Sequence, residues 1–265
     1  MLGHIEIERA ARLIWNCWQT GETIERLPDS LSPSTRAEAY EIQAHYGTFS
    51  GSPIFGWKIA ATSTAGQNHI GVSGPIVGRL LRNRVFQPDS SLRFGSNRMA
   101  VAEPEFAFRI GTTLYPRSTE YKLEEVSAAV ASLHGAVEIP NSRFLNYACV
   151  GENNLIADNA CAHEVVVGPS MCNSWRSLDL AHHEVSISVL NGETNKGIGA
   201  NVLGDPWAAL TWIANELSEN NTSLSAGDTV ITGTCADPIS ISSGDTVIVD
   251  YGTLGLIQVS FSEDG

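Results

Sequence analysis

The sequence predicts an α+β fold with its helices ahead of most of its strands, on three observations. Apolar residues recur at helical spacing twice within the first 50 positions. From residue 99 onward, short alternating or wholly apolar runs of strand type dominate. Between two of those runs stands Asn191-Gly192, a strong hairpin signal.

Taken in order, residues 4 to 20 place Ile5, Ala10, Leu13, Ile14, Cys17 and Trp18 near helical spacing, with Gly21 as the stop. A second helix starts at Thr35, where T-R-A-E forms a capping-box pattern with Glu38, and runs to Gly47. Positions 50 to 98 are richer in Gly, Pro and Ser and read as strand and loop around I-F-G-W-K-I-A. Then come M-A-V-A-E-P-E-F-A-F-R-I-G at 99–111, V-E-I at 137–139, E-V-V-V at 164–167 and the hairpin from Glu184. Two helices are expected among these strands. One is L-E-E-V-S-A-A-V-A-S-L-H, ended by Gly135; the other opens at D-P-W, with Asp205 as N-cap and Pro206 at the first helical position. The near-copies A-G-D-T-V-I at 226–231 and S-G-D-T-V-I at 243–248 read as one turn chemistry opening two strands of one sheet. The expected division is an N-terminal helical and strand region at 1–95 and a mostly β catalytic domain at 96–265.

Sixteen Lys plus Arg against 29 Asp plus Glu give a net charge of −13 with no basic cluster. Phosphate backbones and anionic membranes are poor partners for such a surface, so neither nucleic acid nor membrane is expected. The opening residues carry acids among apolar positions and lack the basic-then-apolar order of a secretory signal, so a cytoplasmic protein is expected. Cys17, Cys149, Cys161, Cys172 and Cys235 show no C-x-x-C pair and read as reduced, mostly packed thiols.

In A-E-P-E-F-A-F, strand alternation puts Val101, Glu103, Glu105 and Ala107 on one face and Phe106, Phe108 and Ile110 on the other. Two adjacent acids repel unless something positive lies between them. A solvated sheet face is the ordinary reading of E-x-E, but the small apolar flanks favour a divalent cation held by hard oxygen ligands. Glu138, an acid inside another apolar run, is the candidate third carboxylate; the competing reading is a buried salt bridge to Arg143 or Arg109. Lys58 is the only charge between Ile54 and Arg79. It is either an edge lysine with its amine in water or, beside a metal-bound substrate, a proton donor or acceptor lowered by desolvation and the cation. Thr232-Gly233-Thr234 can hold a carboxylate or form an ordinary turn.

Several stretches together resemble the 2-keto-4-pentenoate hydratase and 4-oxalocrotonate decarboxylase branch of the fumarylacetoacetate hydrolase superfamily. They include A-E-A-Y-E-I-Q at 37–43, G-W-K-I-A-A-T-S at 56–63, A-E-P-E-F-A-F at 102–108 and A-V-E-I-P-N-S-R-F at 136–144. A-D-N-A at 157–160, L-N-G-E at 190–193, G-I-G-A-N-V-L-G-D-P-W at 197–207 and A-G-D-T-V-I-T-G-T at 226–234 follow in the same order. The resemblance implies a mixed β-roll with flanking helices and a smaller helical N-terminal region. It implies Mg²⁺ or Mn²⁺ held by Glu103, Glu105 and Glu138, Lys58 in proton transfer, and Ser142 and Thr234 near a small 2-oxo or 2-hydroxy carboxylic acid. It implies a homo-oligomer, and hydration of a 2-hydroxy-2,4-dienoate to a 4-hydroxy-2-oxo acid. Decarboxylation of a 4-oxalocrotonate-like diacid, or a tautomerase, isomerase or C–C hydrolase reaction, is the alternative on the same platform; a non-catalytic partner subunit is the non-enzyme one. Two positions depart from the branch: Ile76 stands where a proton-transferring Asp is expected, and Asn141 where an Asp precedes the Ser-Arg pair.

Overall fold

Helix α1 (His4–Thr20) forms because Ile7, Ala10, Ile14, Cys17 and Trp18 share one buried face. It stops where Gly21 takes φ 75° and donates its N–H to Cys17 O at 2.9 Å. Helix α2 (Arg36–Ser50) opens at Thr35, whose side chain accepts from Glu38 N at 3.2 Å, while the Glu38 carboxylate reaches back to Ser34 N at 2.7 Å. It runs past Gly47 because the left-handed cap is Gly51, at φ 61°. The computed structural model describes residues 1–171 and 173–263; Cys172 lies outside them.

After the helices come β1 (Ile54–Ala60), α3 (Thr64–Ile70), β2 (Ile76–Leu81), β3 (Val85–Phe86), β4 (Ser91–Arg93) and β5 (Val101–Ile110). Next are α4 (Leu123–Ala128), β6 (Val130–Ile139), α5 (Glu152–Ala157), β7 (Glu164–Ser170), β8 (Glu184–Val189) and β9 (Thr194–Ile198). The chain closes with α6 (Pro206–Glu219), β10 (Thr229–Thr234), β11 (Ile239–Ser240), β12 (Thr246–Asp250) and β13 (Leu256–Ser262). The larger sheet runs β2-β1-β10-β5-β6-β7-β3 with β11 paired to β5, and the smaller runs β4-β13-β12-β8-β9. The architecture is thus the α+β one expected, with two mixed sheets. Strands from before residue 95 enter both: β1, β2 and β3 the larger, β4 the smaller. No helix among the described residues is long and apolar enough to cross a membrane.

The main core lies between the sheets. Phe106 and Phe108 of β5 with Leu133 and Val137 of β6 meet Ile187, Val247, Val249 and Val259 of the smaller sheet, and Leu210 and Ile213 of α6 join them. Burial of the Phe side of β5 fixes its register and commits the acid side to the opposite face. That face carries Ala107, Ala136, Val165 and Ile231. A second cluster packs α1 and α2 against Ile76 and Leu81 of β2 and Leu155 and Ile156 of α5.

Two expectations are corrected. The helix expected through His134 ends at Ala128, and Val130–Ile139 is a ten-residue strand. Pairing with β5, Phe108 opposite Leu133 and Phe106 opposite Gly135, overrides the local helical preference. Gly135 is therefore not a helix stop but a close-approach position: a Cβ there would lie 2.5 Å from the Tyr251 ring. The two G-D-T-V-I copies open strands of different sheets, β10 in the larger and β12 in the smaller. Their turn chemistry is shared: Gly227 and Gly244 sit at φ 94° and 92°, and Asp228 and Asp245 accept from Ser225 N and Ser242 N.

Candidate active site

Strands β5 and β6 bring the three acids together. Glu103 stands directly opposite Glu138 in the antiparallel register, and Glu105 stands opposite Ala136 on one side and Thr234 on the other. One carboxylate oxygen from each of Glu103, Glu105 and Glu138 falls within a 4.8 Å cluster. Glu105 and Glu138 are buried and Glu103 is half-buried, so the cluster has one open side. Glu105 Oε2 accepts from Gly233 N at 2.6 Å. Gly233 is required there: it holds φ +107°, and a Cβ would meet Thr62 Oγ1 at 2.2 Å. Oε1 of Glu105 and both carboxylate oxygens of Glu138 are buried without a hydrogen-bond partner among the described residues.

Lys58 sits on β1, which lies between β2 and β10, so it is not an edge lysine. Its side chain is 4% exposed; Nζ donates to Ala160 O at 2.9 Å and lies 3.1 Å from Glu138 Oε1, outside hydrogen-bond alignment. The partner of Glu138 is therefore Lys58. Arg143 pairs with Asp158 instead, and Arg109 donates to Thr229 Oγ1.

Charge in the cluster is unbalanced. Burial, then Glu138, pushes the Glu103 carboxyl up to about 7, and burial with Glu138 and Glu103 pushes Glu105 well above the ordinary value. Burial works against the Lys58 ammonium, but Glu138, Glu103 and Glu105 outweigh it and hold the amine above the usual lysine range. The lowering expected from desolvation is thus reversed by the acids. Three converging carboxylates, two of them with orphaned, buried oxygens, form a donor set that fits a hard divalent cation, and a single ammonium beside them does not balance their charge.

The cluster borders a cleft of about 420 Å³ whose lining includes Glu103, Lys58 and Thr234. Thr234 is half-buried there, and its Oγ1 donates to Ala236 O at 2.5 Å. Ile76 lines the cleft as well, on the Lys58 face of β1 and β2: Lys58 pairs with Gly78, and Ala60 with Ile76. Ser142 is not brought to the cleft. Its Oγ donates to Asp158 Oδ2 at 2.6 Å and accepts from Phe144 N at 3.1 Å, inside a buried knot.

That knot is the part of the site sequence reasoning missed. Arg143 bonds the Asp158 carboxylate and the Asp158 carbonyl, and its Nη1 donates to Asn141 O and Ala162 O at 2.7 and 2.9 Å. Asn159 clasps the backbone of Arg79 in β2 from both sides, accepting from its N–H at 2.7 Å and donating to its carbonyl at 2.9 Å. Between these anchors Asn159, Ala160 and Cys161 take φ 58°, 50° and 60°, turning the Ala160 carbonyl toward Lys58. Gly78 completes the seat, since a Cβ there would lie 2.4 Å from Asn159 O and 2.9 Å from Lys58 Cγ. Tyr251 secures the acids from behind: its Oη is 2.7 Å from Glu105 O and 2.8 Å from Ala136 O. Only A-D-N-A, with an Asp and an Asn tolerant of left-handed backbone, offered a signal for any of this.

Comparison with known proteins gives a consistent picture. The chain is 26% identical over 260 residues to a 2-keto-4-pentenoate hydratase of Paraburkholderia xenovorans, covering 97% of this chain and 95% of the relative. It is 27% identical over 263 residues to a 2-hydroxyhexa-2,4-dienoate hydratase of Comamonas testosteroni, covering 97% and 98%. The structure of a 4-oxalocrotonate decarboxylase from Pseudomonas putida G7, complexed with magnesium and adipate, superposes with a TM-score of 0.89 at 26% identity, covering 98% of this chain and 99% of that one. The model of the fumarylacetoacetate hydrolase C-terminal family matches residues 40–261, a span that holds every acid of the cluster, Lys58 and the knot behind it. By that match the chain belongs to the fumarylacetoacetate hydrolase family.

Proposed function

We propose that the chain is a divalent-metal-dependent hydratase that converts a 2-hydroxy-2,4-dienoate, or its 2-oxo tautomer, into a 4-hydroxy-2-oxo acid. The observation that carries this is the convergence of Glu103, Glu105 and Glu138, the last two with orphaned buried oxygens, beside a buried Lys58, with Glu103 and Lys58 lining a cleft. The hydratase names among the relatives and the magnesium in the decarboxylase structure support it.

Glu103, Glu105 and Glu138 would hold Mg²⁺ or Mn²⁺, which when bound supplies Lewis-acid stabilisation for negative charge developing at the carboxylate and 2-oxygen of the substrate. The other work falls to the chain. The enol O–H gives up a proton and C5 gains one, leaving a 2-oxo-3-enoate. The oxygen of water then bonds to C4, C3 takes from solvent a proton that replaces the one the enol released to it, and the 4-hydroxy-2-oxo acid results. Lys58 Nζ, aimed by Ala160 O, is placed to give C5 its proton. The amine so freed takes the proton shed by the attacking water, serving in place of the acid missing at Ile76. Thr234 borders the same space, and Ser142 acts from behind by holding Asp158.

Loss of CO₂ from 4-oxalocrotonate is the second reading, favoured by the structural likeness to the decarboxylase. Mass spectrometry of products from Mg²⁺-loaded protein decides between them. Gain of water by 2-hydroxypenta-2,4-dienoate, lost in Lys58→Met, is the expected result; loss of CO₂ from the diacid with no hydration of the dienoate would replace it. Family resemblance supports a homo-oligomer working in the cytoplasm; sedimentation of the purified protein tests the first part.

A further inference from the structure

Beyond the metal-facing end, the cleft has a chemistry of its own. Ala60, Ile70, Ile76, Met99, Val101 and Leu155 line it, drawn from β1, the end of α3, β2, the approach to β5, and α5. Among its described lining residues Lys58 is the only lysine or arginine, and Lys58 is committed to Glu138 and Ala160 O. The exposed Asp237 borders the space and adds negative charge. A second carboxylate on the far end of a substrate would be stripped of water among apolar side chains, with an aspartate nearby and no cation to pair with. His69, exposed on α3 and packed edge-on to Tyr147 at 6.3 Å, is the one remaining lining group able to carry positive charge.

Resting on the hydratase reading above, we infer that this site selects monocarboxylates whose dienoate is extended by an apolar tail, and rejects diacids, with Ile70, Ile76, Met99 and Leu155 as the specificity-determining residues. Ile76 then has a positive role. On the Lys58 face of the sheet it is 1% exposed and backs the cleft with hydrocarbon where a titratable group would favour a polar ligand.

Isothermal titration calorimetry of the Mg²⁺-loaded full chain with saturated 2-oxo acids, which cannot be hydrated, reads this apart from turnover. The series is 2-oxopentanoate, 2-oxohexanoate, 2-oxoheptanoate and the six-carbon diacid 2-oxohexanedioate. Each added methylene is expected to tighten binding about three- to fourfold, and the diacid to bind at least tenfold more weakly than 2-oxohexanoate. Ile70→Arg, at a half-buried position on the cleft wall, is expected to remove most of that tenfold preference. Equal binding of diacid and monoacid by the wild type overturns the inference, and loss of the diacid's binding in His69→Ala would then place its second carboxylate on His69. Binding of 2-oxopentanoate with no gain from longer chains also overturns the inference while leaving the hydratase reading standing. No binding of any 2-oxo acid removes both.

Discussion

Glu105→Gln tests the metal assignment most directly. In the wild type, oxygens of three carboxylates lie within 4.8 Å of one another, and only one ammonium stands beside them. Two like charges at that distance repel by about 3.5 kcal/mol at an effective dielectric of about 20. A cation that satisfies all three converts this repulsion into binding. At a concentration a hundred times its dissociation constant it stabilises the fold by about 2.7 kcal/mol. For a chain of this size that is a rise in melting temperature of roughly 5–10 °C. Gln at 105 keeps shape and one oxygen toward Gly233 N but removes a charge, so the same Mg²⁺ or Mn²⁺ concentration is expected to raise its melting temperature by less than ~2 °C. The assay is thermal unfolding of both proteins, each with chelator and with added cation. Equal shifts would refute the assignment, because no neighbouring group can replace the Glu105 charge.

Other perturbations probe the surroundings. Gly78→Ala places a methyl against Asn159 O and the Lys58 stem, and is expected to lower turnover about a hundredfold while the Mg²⁺-induced thermal shift persists; unchanged turnover would show that the lysine seat is not tight. Arg143→Leu leaves Asp158 buried without its cation and is expected to cost about 3–5 kcal/mol by denaturant unfolding; a loss under 1 kcal/mol would reduce the knot to a spectator. Burial, helped by Arg84 and Arg143, lowers His163 to about 3, and as a neutral ring it accepts from Trp18 Nε1 at 2.9 Å. Its folded value lies below its unfolded one, so its stabilisation is present above about pH 6.5 and is lost as pH falls toward 3. The wild type is therefore expected to lose about 2 kcal/mol between pH 7 and pH 5 that His163→Gln does not lose; parallel pH profiles for the two would contradict this.

What could be read before folding and what could not divides along a physical line. The alternation of A-E-P-E-F-A-F was legible because a strand with one face in the core has its register forced, and Phe106, Phe108 and Ile110 are indeed in that core. Glu138 was legible as an acid in an apolar run, but its partner was not, because Lys58 lies on a strand separated from it in the sheet by β10 and β5. The helix expected through His134 failed because L-E-E-V-S-A-A-V has good local propensity, whereas the strand after it exists only through pairing with β5. The shared turn of the two G-D-T-V-I copies was readable residue by residue, yet which sheet each strand joins depends on contacts far along the chain. The Arg143–Asp158 knot was missed for the same reason: an arginine and an aspartate 15 residues apart look like surface charges until the backbone encloses them.

The oxygen that aims Lys58 belongs to a peptide group, not to a side chain. Its function is written in backbone conformation and not in the side chain at position 160, which is a small buried alanine. What must be inherited instead is a shape, three successive left-handed residues whose conformations cost roughly 3–6 kcal/mol together. Glycine at position 160, where the side chain makes no hydrogen bond, would relieve part of that tension while letting the carbonyl swing away from the amine. The turn is thus a place where selection for robustness and selection for turnover pull in opposite directions. A drifting relative would betray lost activity by a relaxed backbone here before it lost any of its acids.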